Sequence, residues 1–152
     1  MALQISSKYK DIADQLIDKF PVCFSQIELD KVLFLEETQK APKKYADIRN
    51  VGTPWSFITA YKYVITFYEP KMIALNEAQQ VMVVFHELLH IDDDFTKLRR
   101  HNIEDFRELI SKYGVNWDID PNLPNLLDDN VKDVPIVESD DESEEDDEPE
   151  VM

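Results

Sequence analysis

Apolar residues recur at helical spacing close to the start of the chain, within residues 6–20. The apolar positions are Tyr9, Ile12, Ala13, Leu16, Ile17 and Phe20. A stripe with this period predicts an amphipathic helix that packs one face against a core. Pro21 follows directly and is expected to end the helix.

Two denser apolar runs follow this helix. Residues 31–37, KVLFLEE, and residues 60–70, AYKYVITFYEP, are rich in apolar, aromatic and β-branched residues, and both predict strands. Residues 38–56 between them are polar and contain two prolines and a glycine. This composition predicts a loop, with room for a turn of helix.

The segment LNEAQQVMVVFHELLHI, residues 75–91, predicts a second helix. Asn76 with Gln79 three residues later has the form of a capping box, so the helix is expected to begin there. The apolar positions are Val84, Leu88 and Ile91, widened by Met82, Phe85 and Leu89. A helix with so wide an apolar surface is expected to be buried on most sides.

A third helix is predicted at about 102–114. Asn102 is a good N-cap residue, and Gly114 is the expected stop. Residues 115–127 are irregular but contain Trp117 and several leucines, so part of this stretch is expected to pack back on the body. The predicted organisation is one domain at 1–127 followed by a disordered acidic tail at 128–152.

The net charge of −16 is concentrated in that tail. Residues 128–152 hold 13 acidic residues and one lysine, a net charge of −12, which leaves −4 for residues 1–127. A body of this charge argues against direct nucleic-acid binding, which needs a basic surface. The tail could instead bind a basic partner or keep the protein in solution.

Cysteine content and hydropathy point to a cytoplasmic protein. Cys23 is the single cysteine, so neither an internal disulfide nor a cysteine-based zinc site is expected. The first 20 residues lack the unbroken apolar run of a signal peptide, and no segment is long enough to span a membrane. The sequence also lacks the glycine motifs that bind phosphate, so it gives no support for nucleotide chemistry.

All three histidines of the chain lie within residues 86–101, and the first two form an H-E-x-x-H pattern. On a helix, His86 and His90 point the same way, because residues four apart share a face. In zinc hydrolases with this pattern the glutamate, here Glu87, is the general base and not a ligand. The alternative is a buried helix that carries these residues by chance, although burying them without partners would be costly.

A catalytic zinc site of this kind needs a third protein ligand. The candidates are His101, Asp92, Asp93, Asp94, Glu104 and Asp105. His101 is favoured, because it stands just before a predicted N-cap and the ten residues between His90 and His101 are enough for a tight reversal. The three aspartates are better explained as a solvated turn, although Asp94 or Asp105 could hydrogen-bond a ligand histidine.

The motif HELLHI followed by HNIEDFRELISKYG resembles the putative phage metallopeptidase family and, more distantly, the SprT-like zinc proteases. ADIRNV and YKYVITFYE also resemble segments that precede the motif in the phage family, so the resemblance covers about residues 30–127. It implies a small zincin-like α+β domain with an N-terminal helix, a short antiparallel or mixed sheet, the motif helix and a following helix with the third histidine. It also implies that His86, His90 and His101 bind Zn²⁺ and that Glu87 is the catalytic base.

In zincins the strand before the motif helix often lies at a sheet edge and pairs with an extended peptide. Residues 60–70 would then align the substrate, although ordinary packing explains their aromatic residues equally well. A tyrosine, Tyr61, Tyr63 or Tyr68, could also donate to the oxyanion.

Two functions fit the sequence. The first is a zinc-dependent metallopeptidase that cleaves a protein or peptide, in the bacterial host cytoplasm if the chain is phage-encoded. The second is an acidic interaction protein that inhibits a host factor or mimics nucleic acid, with a structural or vestigial zinc site. Against the second, Glu87 has no role in a purely structural site, and such sites usually use cysteine.

Overall fold

The computed structural model describes residues 2–99 and 122–128, and these residues form an α+β domain. The helices are α1 Ser7–Lys19, α2 Pro21–Phe24, α3 Trp55–Thr59, α4 Glu69–Met72 and α5 Glu77–Leu89. The strands are β1 Leu3–Ile5, β2 Val32–Glu37, β3 Ala46–Asn50 and β4 Tyr63–Tyr68, with a 3-10 turn at Leu29–Lys31 before β2.

The four strands form one mixed sheet in the order β1-β2-β4-β3. β4 runs parallel to β2 and antiparallel to β3, while β1 is antiparallel to β2. Side chains alternate across the sheet, so Tyr63, Ile65 and Phe67 of β4 are all buried on one face. This arrangement confirms the α+β class and the mixed form of the expected sheet.

Helices α1 and α5 cover the buried face of the sheet. The ring of Tyr9 in α1 stacks on Phe67 of β4, with ring centroids 4.4 Å apart. Phe85 of α5 meets Phe20 and Phe24 edge to face, at centroid distances of 5.4 and 5.1 Å. These aromatic contacts hold α5 against α2 and the end of α1, which fixes where the motif helix lies.

The structure confirms α1, β2, β4 and α5 and corrects the prediction for residues 38–56. The prediction there is a loop with room for a turn of helix; the start of α3 agrees with it, but β3 was not expected. In β3 only Ala46 is buried, while Arg49 and Asn50 are exposed, and its two apolar residues, Ala46 and Ile48, are too short an alternation to predict a strand. It is stabilised by its ladder to β4, a non-local contact that local pattern does not show.

Strand β1 was also not predicted, and a polar cluster attaches it to the body. We call Gln4, Ser6 and Glu36 the Glu36 cluster. The Ser6 hydroxyl donates to Oε2 of Glu36 at 2.6 Å, and the Gln4 amide donates to Oε1 at 3.1 Å. Ser6 is also the N-cap of α1, because its hydroxyl oxygen accepts from the Tyr9 backbone at 3.2 Å. One buried carboxylate therefore fixes both β1 and the start of α1.

Residues 122–128 return to the body, as predicted for part of 115–127. Leu123 and Leu126 are buried, and the Lys19 ammonium donates to the carbonyls of Leu126, at 2.7 Å, and Asp128. The predicted helix at 102–114, Trp117 and residues 129–152 of the predicted acidic tail lie outside the described residues. Within the described ranges, none of the helices has the length and apolar character needed to cross a membrane.

Candidate metal centre

Helix α5 begins where its sequence predicts. The Asn76 side chain accepts from the Gln79 backbone and the Gln79 side chain accepts from the Asn76 backbone, both at 2.9 Å, so the capping box is complete. The helix is buried over most of its length, from Gln79 onward. It ends at Leu89, and His90 is its C-cap. The H-E-x-x-H motif therefore occupies the last turn of a helix that is fixed at its start.

His86, Glu87 and His90 converge at the C-terminal end of α5. One ligand atom from each of the three side chains lies within 4.8 Å of the other two. The imidazole rings stand 5.3 Å apart at an angle of 66°. Glu87 is 7% exposed and both histidines are half-buried. Among residues 2–99 and 122–128, this is the one group of three or more His, Cys, Asp or Glu side chains that lie close enough together to hold a metal ion.

The ring of His90 is oriented by a backbone carbonyl. Its Nδ1 lies 2.7 Å from the carbonyl oxygen of Arg99. A carbonyl oxygen only accepts, so Nδ1 carries the proton and donates it. In the neutral imidazole the lone pair is then on Nε2. This is the usual way in which a protein selects the tautomer of a metal-binding histidine.

Arg99 reaches His90 because the chain reverses after α5. We call residues 91–98 the return loop. Ile91 and Leu98 form an antiparallel bridge, and the Arg99 backbone N–H donates to the carbonyl of His90. At the tip, Phe95 adopts a left-handed φ of 58° and its side chain is buried. The reversal expected between His90 and His101 is therefore present up to Arg99.

The aspartates of the return loop form its turn. Oδ1 of Asp92 accepts from the Thr96 backbone at 2.8 Å. This bond, against the opposing effect of burial and with help from the Lys97 backbone, holds the pKa of Asp92 below its usual range. Asp93 and Asp94 are exposed, as expected for a solvated turn. None of the three belongs to the His86–Glu87–His90 group. The other candidate ligands, His101, Glu104 and Asp105, lie outside the described residues.

Two of the three candidate oxyanion tyrosines have identified partners elsewhere. The Tyr63 hydroxyl donates to the carbonyl of Lys97 at 2.8 Å, and the Tyr68 hydroxyl donates to Oδ2 of Asp47 at 3.1 Å. Burial, followed by the charge of Asp92, raises the pKa of Tyr63 to about 12. Tyr61 is half-buried, and its backbone N–H donates to the Thr59 hydroxyl at 3.3 Å. The structure therefore provides no ground for an oxyanion role of Tyr63 or Tyr68.

The expectation that β4 lies at a sheet edge is wrong. β4 is paired on both sides, with β2 and with β3. The short strand β3, which was not predicted, occupies the edge beside it, so a substrate peptide has no access to the backbone of β4. The Asn50 side chain at the end of β3 donates to the Thr96 carbonyl at 3.3 Å, which joins this edge to the return loop.

The Arg99 carbonyl is the feature of the site that the sequence did not indicate. A backbone acceptor is present at every position, so residue type gives no signal for it. Asp94 and Asp105 were the predicted hydrogen-bond partners for a ligand histidine, and for His90 the observed partner is this carbonyl.

Comparison with known proteins identifies the family. No curated protein and no solved structure matches the chain. A family model described as "Putative phage metallopeptidase" matches residues 1–130, which includes the motif helix and extends the resemblance seen from residue 30 to the N-terminal helix. The chain therefore belongs to the putative phage metallopeptidase family.

Proposed function

We propose that the protein is a zinc-dependent metallopeptidase in which His86, His90 and His101 bind the metal and Glu87 is the general base. The observation that carries this proposal is the convergence of His86, Glu87 and His90 within 4.8 Å. The family description supports a metallopeptidase, and the His90–Arg99 hydrogen bond supports metal binding at Nε2.

The donor set fits zinc. Imidazole nitrogen suits Zn²⁺ well, and a catalytic zinc site has three protein ligands and an open position. His101 follows Arg99 by two residues, a span of at most about 7 Å, so chain length allows its side chain to approach His90. When bound, zinc would polarise the substrate carbonyl and lower the pKa of a coordinated water towards about 7.

Glu87 has the chemistry needed for proton transfer. It follows His86 directly and its carboxylate is part of the same group. We propose that it accepts a proton from the attacking water and passes it to the departing amine nitrogen. A positioned general base of this kind contributes about 10²–10⁴-fold to the rate. The proposed substrate is an exposed loop or disordered segment of a protein, because a domain of this size has little room for a deep cleft.

The test of this role is Glu87→Gln, which keeps the shape of the side chain and removes its basicity. Cleavage should fall by about 10²–10⁴-fold while zinc affinity is retained. Glu77→Gln is the matched control, since Glu77 lies in the first turn of the same helix and is exposed. Cleavage is followed by comparing the proteomes of bacteria that express each variant. Equal cleavage by wild type and Glu87→Gln would contradict the proposal.

A second function rests on the acidic C-terminal segment. We propose that residues 128–152, with a net charge of −12, bind a basic partner. We also propose that the protein acts in the cytoplasm of a bacterial host, because the family description names phage. If the protein acts by binding alone, Glu87→Gln would retain its biological effect and deletion of 128–152 would remove it. If it acts as a peptidase, Glu87→Gln would remove the biological effect and the deletion would leave it in place.

A further inference from the structure

Four side chains from outside the return loop donate to its backbone carbonyls. Gln26 donates to the carbonyl of Asp92 at 3.2 Å. Lys62 donates to Phe95 at 3.2 Å, Asn50 to Thr96 at 3.3 Å and Tyr63 to Lys97 at 2.8 Å. These donors come from β3, β4 and two connecting segments. A loop held by four separate donors is fixed with respect to the sheet, and not only with respect to α5.

The Tyr63 hydroxyl makes the shortest of these bonds, and it does so next to the metal site. Its acceptor, Lys97, is two residues before Arg99, whose carbonyl orients His90. The Lys97 carbonyl also accepts from the Asp92 backbone at 3.2 Å, so Tyr63 bonds the point where the two arms of the loop meet. The Tyr63 ring packs on Phe95 at the tip, with centroids 5.3 Å apart.

Tyr63 is also suited to act as a constant donor. The Tyr63 side chain is fully buried, and its strand β4 is paired on both sides. The hydroxyl therefore cannot follow the loop if the loop moves. Because burial and the charge of Asp92 raise its pKa to about 12, the hydroxyl keeps its proton through the neutral range. The strand thus offers a rigid donor to the loop that leads to Arg99, whose carbonyl bonds the proposed metal ligand His90.

We propose that Tyr63 is a positioning residue for the metal site: by holding the Lys97 carbonyl it places the Arg99 carbonyl on Nδ1 of His90, and thereby fixes the tautomer and orientation of that ring. The proposal rests on the proposed function for its metal-binding consequence. Its structural consequence, the fixed Nδ1–H of His90, holds in the metal-free protein as well. The two can therefore be tested separately.

The experiment compares Tyr63→Phe with Tyr68→Phe. Both substitutions remove one hydrogen-bonded hydroxyl from β4, but the Tyr68 hydroxyl bonds Asp47 and not the loop. Zinc affinity should fall by about tenfold in Tyr63→Phe, the low end of the range for changes in the outer shell of a metal site. It should be unchanged in Tyr68→Phe. Equal affinities in wild type and both variants, or equal losses in both variants, would overturn the positioning role.

The second readout is the imidazole N–H signal of His90 in metal-free protein, observed by nitrogen-15 NMR. The Nδ1–H signal should be protected from exchange in wild type and Tyr68→Phe and lost in Tyr63→Phe. Its persistence in Tyr63→Phe would overturn the proposal, even if zinc affinity changed. If wild type binds no zinc, the proposed function fails, and this signal still decides the role of Tyr63.

If Tyr63→Phe does not fold, Lys62→Met takes its place. This substitution removes the Lys62 ammonium, and with it the bond to the Phe95 carbonyl and the contact with the Phe95 ring, while keeping most of the aliphatic stem. We expect the same direction of change in both readouts. Unchanged zinc affinity together with an unchanged His90 signal would contradict the claim that the loop orients His90.

Discussion

The Glu36 cluster and the His86–Glu87–His90 group each contain a buried glutamate, but the neighbours of the two glutamates differ in kind. Around Glu36 the neighbours are donors, namely the Ser6 hydroxyl and the Gln4 amide. Around Glu87 the neighbours are two histidines, and each of the three side chains brings an atom that can bind a metal. Both sites consist of polar side chains that do not belong to the apolar core cluster of the domain.

Under the proposed function, this difference separates a structural carboxylate, Glu36, from a catalytic one, Glu87. A buried carboxylate is costly unless donors compensate it, and at Glu36 the chain supplies those donors itself. At Glu87, three atoms that can bind a metal lie within 4.8 Å of one another, an arrangement that suits a cation. The first cluster should therefore govern folding, and the second should govern metal binding.

The largest expected difference between the two clusters is in zinc binding, which His86→Ala should weaken. Removing a ligand should weaken binding by more than about 100-fold, because changes in the outer shell alone cost about 10–100-fold. Calorimetric titration with zinc measures the effect, and Glu36→Ala is the control. Comparable zinc affinities in His86→Ala and wild type would show that the two clusters do not differ in the way described.

The next effect is the loss of stability in Glu36→Ala. The substitution leaves the buried Ser6 hydroxyl without its 2.6 Å acceptor, and we expect unfolding to become easier by about 1–3 kcal/mol. Urea denaturation measures this change. The control is Glu28→Ala, which removes an exposed ion pair to Lys31 and should cost at most about 1 kcal/mol. Equal losses in both variants would contradict the structural role of Glu36.

A smaller effect is expected from pH at Glu37, the neighbour of the Glu36 cluster. The backbone N–H of Lys40 lowers the pKa of Glu37 below 4.5, against the opposing effect of burial and with help from the Gln39 backbone. Because the folded-state pKa lies below the unfolded value, the stabilisation is complete above about pH 4.5 and is lost as pH falls through the folded-state pKa.

Denaturation of wild type and Glu37→Gln at a series of pH values tests this sign. The difference in their free energies of unfolding should be largest near neutral pH and should shrink on acidification. A difference that grows as the pH falls would show that the pKa of Glu37 is raised and not lowered.

The same contrast explains how far the sequence could be interpreted. Helix α5 was predictable because its capping box and apolar stripe are local, and the pairing of His86 with His90 follows from helical geometry alone. Strand β3 was not, because Ala46 and Ile48 are its only apolar residues and its stability comes from its pairing with β4. The interior position of β4 and the Arg99 carbonyl depend on chain reversals, and side-chain type encodes these only weakly.

The most direct test of the metal centre is the zinc content of wild type and of the double variant His86→Ala, His90→Ala after incubation with zinc and removal of excess metal. Neither histidine belongs to the apolar core, so both proteins should fold. We predict about one zinc per chain in wild type, as for a single catalytic site, and none in the double variant. A wild type without zinc, or a double variant with the same zinc content, would contradict the central claim.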